Sequence, residues 1–509
     1  MPLSLPEAHE TKGPAALLPW LGGLAVAVFV SSIMYTLKPV WVFLAIAAVV
    51  ILIPAFVVRD ARLYWLGWFV FCLQFDLKKN LMDGVKIVDR LQIDYNQYIF
   101  VPEIRLSDLP LLVLLLFWGM QFYVGRTRAT KSRENRFVYA FLAIGCLSLA
   151  GANSVFLGVL ELARQIKFFV IYVYMASVNR SKRAIRVIIL VAIATLLVQS
   201  LVTAARYKLK YFEPIDSLFG GRTFMTAEKR AERLSVYDEG QGSSTARRSL
   251  GTLPSPGSTT KYLLLILPFT VLFAVRRSVF GMRWLFFGLM LVAALAFVLT
   301  FSRTSFVGLL VELGIAYWFC VRRGYVPPKM TVALLYGVVA AGVIASPKLV
   351  DFMKSRESAV DVRLHQYSTT WQIIRDHPLL GVGLNNSTGV KRQYERASRW
   401  GIDPTAQSGD EPIHSYYLTL IAEVGFVGFA CYMAFWVLVV RRLLRLSRAR
   451  PDTELGMYAT ALAIAIMGLG VGVLTDPFYE DGIESLLWTY AGLALVLERL
   501  AASEAPVPA

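Results

Sequence analysis

The stretch EPIHSYYLTLIAEVGFVGFACYMAFWVLVV, residues 411–440, contains an apolar run of membrane-spanning length that opens with a histidine. A helix needs about 20 mostly apolar residues to cross roughly 30 Å of hydrocarbon. His414 stands at the start of this run, and Glu423 lies within it. Because ionisable groups are costly inside a bilayer, this segment is a candidate functional site as well as a predicted span.

The rest of the chain repeats the same kind of apolar block. It has 509 residues, of which 56% are hydrophobic, and a mean hydropathy of +0.55. Since a backbone in lipid must satisfy its own polar groups, these blocks predict an all-α, polytopic membrane protein with about 14 helices. The predicted spans are 17–37, 40–58, 61–76, 107–124, 137–152, 156–178, 185–205, 259–276, 283–300, 305–321, 330–346, 413–440, 456–475 and 485–500.

Short basic connections predict the orientation of these spans. By the positive-inside rule, the side of the membrane that carries these connections is cytoplasmic. Both termini are predicted to lie on that side. The opposite side carries loops 77–106, 206–258 and 347–412, the last two of which are expected to hold the chemistry. The simplest organisation is a single transmembrane domain, 1–509, with a helical cap on the outer side. The basic connections are 126–136, 179–186, 276–283, 322–329 and 441–450.

The net charge of +17 arises from 52 Lys and Arg against 35 Asp and Glu. Several of the cations lie on the outer loops, which indicates an anionic ligand on that side. The alternative is a solvated loop surface whose own acidic residues neutralise most of this charge. No nucleic acid partner is predicted.

Several common chemistries are not indicated by the sequence. HExxH, CxxC, the P-loop pattern and a GxGxxG after a strand are all absent, so we expect a metal-independent mechanism without a cofactor. The four cysteines fall inside apolar blocks, which argues against a disulfide framework. The N-terminal MPLSLPEAHETKG lacks a signal-peptide pattern, so the first block is expected to remain as a span.

Three residues on the predicted outer side, Arg303 and His414 at ends of spans and Arg363 within loop 347–412, suit group transfer from a phosphate. Arg303 and Arg363 offer planar guanidinium groups that match phosphate oxygens. The imidazole of His414 can accept a hydroxyl proton, a role worth about 10² to 10⁴ in rate. Each has a structural alternative, because arginines at helix ends also extend toward head groups and a histidine can hydrogen-bond a helix start. Together they predict transfer from a phosphate-linked donor to an alcohol.

A second charged group lies within a predicted span. In ELARQIKFF, Glu161, Arg164 and Lys167 fall near one helix face. Glu161 and Arg164 can neutralise one another, whereas the remaining Lys167 indicates an anion reached from the bundle interior. Glu423 either pairs with such a cation or lines the same cavity.

Four stretches resemble the O-antigen ligase and polymerase superfamily of bacterial membrane glycosyltransferases. The last two, in this order and followed by a membrane helix, are the specific ones. The resemblance covers roughly 250–440. The stretches are RRSLGTLPSPGSTTKYLLLILPF (247–269), SRTSFVGLL (302–310), RLHQYSTTWQIIRDHPLLGVGLNN (363–386) and HSYYLTLIAEVGFVGF (414–429).

The resemblance implies roles for individual residues. Arg363 resembles the family's donor-contacting arginine at the start of the outer-loop helix, and His414 resembles the histidine assigned to catalysis. Arg303 matches the arginine of the family's Ser-Arg pair at the membrane surface. The predicted site residues are His414 and Arg363 for catalysis; Arg303, Arg363, Arg164, Lys167 and Arg248 for binding the donor diphosphate; and Glu423, Trp371 and Gly383 for support.

The resemblance also implies an activity. It is an inverting glycosyl transfer at the periplasmic face of the bacterial inner membrane, from an undecaprenyl-diphosphate-linked glycan to a hydroxyl, without nucleotide sugar or metal. The size of the chain and of loop 206–258 favour polymerisation of polysaccharide repeat units over ligation to lipid A core. The expected partners are a lipid-linked saccharide donor, a saccharide or lipid acceptor, membrane lipids, a flippase and a chain-length regulator. A transporter and a non-catalytic scaffold that binds anionic glycans are the alternatives from other classes.

Overall fold

The computed structural model describes residues 58, 60–80, 103–125, 130, 132–178, 181–209, 249–275, 282–300, 302–325, 357–397 and 413–504. The chain divides into two compact units, Met1–Tyr64 and Trp65–Ala509. The predicted spans 17–37 and 330–346 lie outside the described residues, as does 40–58 apart from Val58. All of the predicted site residues belong to the second unit.

Every predicted span with more than one described residue is mostly helical, which supports an all-α membrane fold. The count of 14 spans and the cap on the outer side remain predictions. Five of its helices, α5, α6, α11, α12 and α13, are long and apolar enough to cross a membrane. The helices are α1 Ala61–Cys72, α2 Asp108–Tyr123, α3 Asn135–Ser148, α4 Val155–Val178, α5 Lys182–Leu209, α6 Pro256–Val275, α7 Arg283–Leu299, α8 Arg303–Arg322, α9 Glu357–Asp376, α10 Ser387–Ala397, α11 Tyr416–Ala449, α12 Glu454–Gly472 and α13 Asp481–Ser503.

One small element departs from this helical pattern. Strands β1 (Lys78–Asn80) and β2 (Glu103–Arg105) pair antiparallel, with Lys79 opposite Ile104. They lie in the loop that the sequence left without structure. Strands of three residues fall below the length at which a period of two can be recognised in a sequence.

The core is built around α6. This helix is buried along nearly its whole length and packs against α5, α7, α8, α12 and α13. A helix that is apolar on every face is expected at the centre of a bundle, since it has no side for solvent.

The four cysteines, Cys72, Cys146, Cys320 and Cys431, are unpaired.

Helix α11 is interrupted at Gly425, where φ is +67° and ψ is −179°. An unbroken helix would bond the N–H of Phe426 to the carbonyl of Ala422, and this break separates the two groups. Both groups form hydrogen bonds with the turn after α9 instead. Pro378 accepts from the Phe426 N–H at 2.8 Å, and the Val382 N–H donates to the Ala422 carbonyl at 2.9 Å.

A third backbone bond completes this junction. The N–H of Gly383 donates to the carbonyl of Glu423 at 3.0 Å. The approach is so close that a Cβ at Gly425 would lie 2.1 Å from the carbonyl oxygen of Leu379, and one at Gly381 would lie 2.4 Å from the carbonyl carbon of Glu423. Both glycines have positive φ, so the sequence requires glycine there for conformation and for space.

We expect Gly425→Ala to destabilise the protein by at least about 1–3 kcal/mol, because its backbone region is essentially restricted to glycine. Gly389→Ala is the matched control. It lies in α10 with nothing within 4 Å of an added Cβ, and it should gain about 0.5–1 kcal/mol. Thermal unfolding of the two purified variants in detergent measures the difference. Equal transition temperatures would contradict the strained junction.

Candidate active site

Helix α9 presents three polar side chains toward the loop that precedes α11. Arg363 lies three residues before Gln366 and four before Tyr367, so all three share one face of the helix. The Tyr367 hydroxyl donates to the backbone carbonyl of His414 at 2.8 Å. Gln366 is fully buried, and its Oε1 lies 2.9 Å from Nδ1 of His414. The structure therefore brings His414 to within about one helical turn of Arg363.

The contact with Gln366 determines which nitrogen of the neutral His414 ring carries the proton. An amide oxygen can only accept a hydrogen bond, so Nδ1 carries the proton when the ring is neutral. Nε2 is then left with its lone pair. This tautomer is the one that can accept a proton at Nε2.

The loop between α12 and α13 supplies an acidic group on the same side. Burial raises the pKa of Asp476, and the positive charges of Lys261 and Arg363 oppose that rise. Lys261 lies 3.3 Å from Asp476 and 2.9 Å from Glu480, so its charge is already compensated. The backbone N–H of Tyr416 donates to Val473 at 3.1 Å, which ties this loop to the start of α11.

Arg363 differs from most of the buried cations nearby. Within the described ranges its guanidinium makes no hydrogen bond or ion pair, although its charge acts on Asp476 and Tyr367. Burial raises the pKa of Tyr367, and Arg363 opposes that rise as well. A guanidinium held in place without an ion-pair partner keeps its donors for an incoming anion.

Glu423 is occupied by the turn rather than by a cation in the described part of the chain. Its carboxylate accepts from the Ser387 hydroxyl at 2.7 Å and from the backbone N–H groups of Asn385 and Ser387. Glu423 thus covers the N-terminus of α10, where a negative charge is favourable. Its predicted supporting role at the site remains a prediction.

The other two predicted supporting residues lie on either side of this junction. Gly383 has φ +95°, and a Cβ there would come within 2.6 Å of the Ala152 Cβ. The neighbouring Asn386 accepts from the Ser154 N–H at 2.8 Å, which joins the turn to the start of α4. Trp371 points away from these contacts and is 51% exposed.

Arg164 and Lys167 lie in a separate network of buried charges. Arg164 contacts Glu161 at 2.7 Å, Asp481 at 3.0 Å and Glu484 at 2.7 Å. Lys167, the cation expected to be left over, lies 2.5 Å from Asp481. Arg105 of β2 approaches the same carboxylate at 3.5 Å. Asp481 is therefore shared by three cations.

Two predicted residues have no described side chain. Arg303 begins α8, and the structure describes its backbone only. Arg248 lies outside the described residues. Their assignment to a donor diphosphate stays a prediction. Among the residues that are described, no group of three His, Cys, Asp or Glu side chains is arranged to hold a metal ion.

Several residues of this region were missed from the sequence. Gln366 and Tyr367 could have been found from their spacing to Arg363, because residues three and four positions apart share one face of a helix. Asp476 and Lys261 carried no such signal, because they come from distant parts of the chain. Asp481 lay at a predicted helix start, where an acidic residue is ordinary.

Comparison with known proteins bears directly on this region. Residues 287–433 match the family model described as O-antigen ligase. This segment is similar to the O-antigen ligase family. It contains α9, α10 and the first half of α11, and hence Arg363, Gln366 and His414. The resemblance to the superfamily drawn from the sequence is confirmed, and it indicates a glycan-transferring membrane enzyme.

The other comparisons add little. A chain from a solved structure described as "Structural coordination of polymerization and crosslinking by a peptidoglycan synthase complex" aligns with 73% of this chain and 97% of its own, at 16% identity and a TM-score of 0.34. That likeness is too distant to bear on function. Among curated proteins, none matches the sequence significantly.

We expect Asp481→Asn to destabilise the protein by about 3–5 kcal/mol, because three cations would lose a buried counter-charge. The control is Arg186→Ala. Arg186 pairs with Glu454 at 2.6 Å but is half-exposed, so its loss should cost at most about 1 kcal/mol. Thermal unfolding temperatures measured in detergent distinguish the Asp481→Asn variant from the Arg186→Ala control. A shift for Asp481→Asn no larger than that of the control would contradict a shared buried carboxylate.

Proposed function

We propose that this protein is a metal-independent, inverting glycosyltransferase that uses a polyprenyl-diphosphate-linked glycan as donor. The observation that carries the proposal is the juxtaposition on α9. One helix holds an arginine without an ion-pair partner in the described chain and, one turn later, the glutamine that orients the His414 ring. The similarity to the O-antigen ligase family supports a lipid-linked saccharide as the donor.

In the proposed reaction Nε2 of His414 accepts the proton of the acceptor hydroxyl. The hydroxyl oxygen attacks the anomeric carbon, and the bond from that carbon to the diphosphate oxygen breaks. The electron pair leaves with the polyprenyl diphosphate, whose growing negative charge Arg363 stabilises. Preorganised charge of this kind is often the largest catalytic contribution.

We place this site on the periplasmic side of the bacterial inner membrane, in line with the basic connections on the opposite side. We further propose that the acceptor is a second lipid-linked saccharide, so that repeat units are polymerised, with a flippase and a chain-length regulator as partners. The description of the matched family favours the alternative, ligation of a glycan to lipid A core. The two activities share one donor chemistry and differ in the acceptor.

The proposal predicts that purified protein in lipid converts lipid-linked repeat units into a ladder of longer glycans. His414→Ala should lower the rate by about 10² to 10⁴ while leaving donor binding intact. Arg363→Ala should lower kcat/KM by about 10² to 10³ by removing charge stabilisation. Arg375→Ala, an exposed arginine on the same helix, is the control and should retain full activity.

The products are resolved by gel electrophoresis of the glycan. A single transfer onto added core lipid, without a ladder, would replace polymerisation by ligation. Full turnover by His414→Ala would overturn the role of His414 as the base. Absence of any glycan transfer by the unaltered protein would overturn the glycosyltransferase proposal and favour a transporter or a scaffold.

Gln366→Leu should lower kcat roughly 5- to 10-fold, because the lost hydrogen bond to Nδ1 is worth about 1 kcal/mol and holds the reactive tautomer. Gln366→Glu keeps an acceptor at that position and should restore most of the rate. The pH dependence of kcat should shift between these variants, since a carboxylate beside the ring favours its protonated form. Ser368→Ala, on the exposed side of α9, serves as the control. An equal loss in Leu and Glu variants with unchanged pH profiles would contradict the orienting role.

A further inference from the structure

The surface of α11 that faces away from the protein forms one continuous stripe. Its exposed and half-exposed positions are spaced alternately three and four residues apart, which is the pattern of a single helix face. The stripe is apolar until it reaches an arginine. Its members are Val427, Ala430, Ala434, Val437 and Arg441.

This stripe is too short to cover the hydrocarbon of a bilayer. From Arg441 to Phe426 it rises by about 22 Å, whereas the hydrocarbon is roughly 30 Å thick. The segment of the helix next to Phe426 offers no surface to lipid, because residues 419–425 are buried by the rest of the protein. About 8 Å of apolar surface is missing at the end opposite Arg441.

The turn after α9 lies at the level where the stripe stops. The bond from the Phe426 N–H to Pro378 and the contact of Gly425 with Leu379 place it directly beside the helix break. Leu379 is 66% exposed and Leu380 is 42% exposed, next to Phe426 at 44%. These leucines continue the apolar surface of the span beyond the end of its own stripe.

Part of the backbone of this turn is paired within the protein. Pro378 has no N–H, its carbonyl accepts from Phe426, and the N–H of Gly381 donates to His377 at 3.1 Å. The residues just before the turn, Arg375, Asp376 and His377, are exposed and polar, as expected where a chain leaves the hydrocarbon for the head groups. Non-helical backbone at membrane depth needs such partners, and these bonds supply them for the Pro378 carbonyl and the Gly381 N–H.

We propose that the Leu379–Leu380 turn is inserted into the hydrocarbon of the bilayer and anchors α9 to the membrane surface. The occupant of this apolar surface is lipid, not another protein, because the turn prolongs a helix face that must itself contact lipid. The insertion fixes the depth of α9 relative to the head groups. It goes beyond the proposed glycosyl transfer and does not depend on that reaction.

The test uses the full chain with its four cysteines replaced, one new cysteine carrying an environment-sensitive fluorophore, and single copies in lipid nanodiscs. Leu379→Cys is compared with Val437→Cys, within the lipid-facing stripe, and with Gln372→Cys, an exposed polar position on α9. Quenchers are iodide in water and doxyl groups high on the lipid acyl chains. We expect doxyl to quench the label at 379 as it does that at 437, and iodide to quench only the label at 372.

Quenching of the label at 379 by iodide, to the extent seen at 372, would overturn the proposal. Protection from both quenchers would overturn it too, because the turn would then be covered by protein. If the cysteine-free chain does not fold, a lipid-borne carbene applied to the unaltered protein gives the same information. Mass spectrometry should then find lipid adducts on the peptide containing Leu379 and none on one ending before Arg375.

Discussion

The interruption of α11 at Gly425 is the feature on which the site depends. A helix broken within a membrane span exposes two carbonyls and one N–H that lipid cannot satisfy, and each unsatisfied group would cost several kcal/mol. The turn after α9 supplies the partners for the Ala422 and Glu423 carbonyls and for the Phe426 N–H. The glycines at 381 and 425 permit the approach. Because α9 leads directly into this turn, the same three bonds hold α9 beside the start of α11, and so Arg363 beside His414.

Buried charge is distributed unevenly around this junction. Arg164, Lys167 and Lys261 have carboxylate partners within 3.3 Å, and these pairs join α4 to α13 and α6 to the 473–480 loop. In contrast, Arg363 has no such partner in the described residues and influences Asp476 and Tyr367 through its field alone. A cation that is fully neutralised serves the fold, whereas one that is positioned and uncompensated can bind an anion. This difference in pairing distinguishes Arg363 as the residue suited to a diphosphate.

Sequence reasoning predicted the helices and proposed a candidate site, because both depend on local signals. Apolar blocks of bilayer length mark spans, and an arginine within a predicted loop and a histidine at the end of that loop mark a candidate active site. It did not predict that Lys167 would pair with Asp481, since the two lie more than three hundred residues apart in sequence. Nor could it separate Gly425, which breaks a helix, from Gly428, which continues it. The partner of each freed backbone group becomes known only when the turn is in place.

The most direct test of this account is to measure amide hydrogen exchange on the peptides that cover 379–386, in the intact protein held in lipid. If the turn pairs with the broken helix, the amides of Val382 and Gly383 exchange slowly, as do amides within the neighbouring span. Exchange at the rate of an unpaired loop would contradict the account, because the turn after α9 would then not pair with the broken helix.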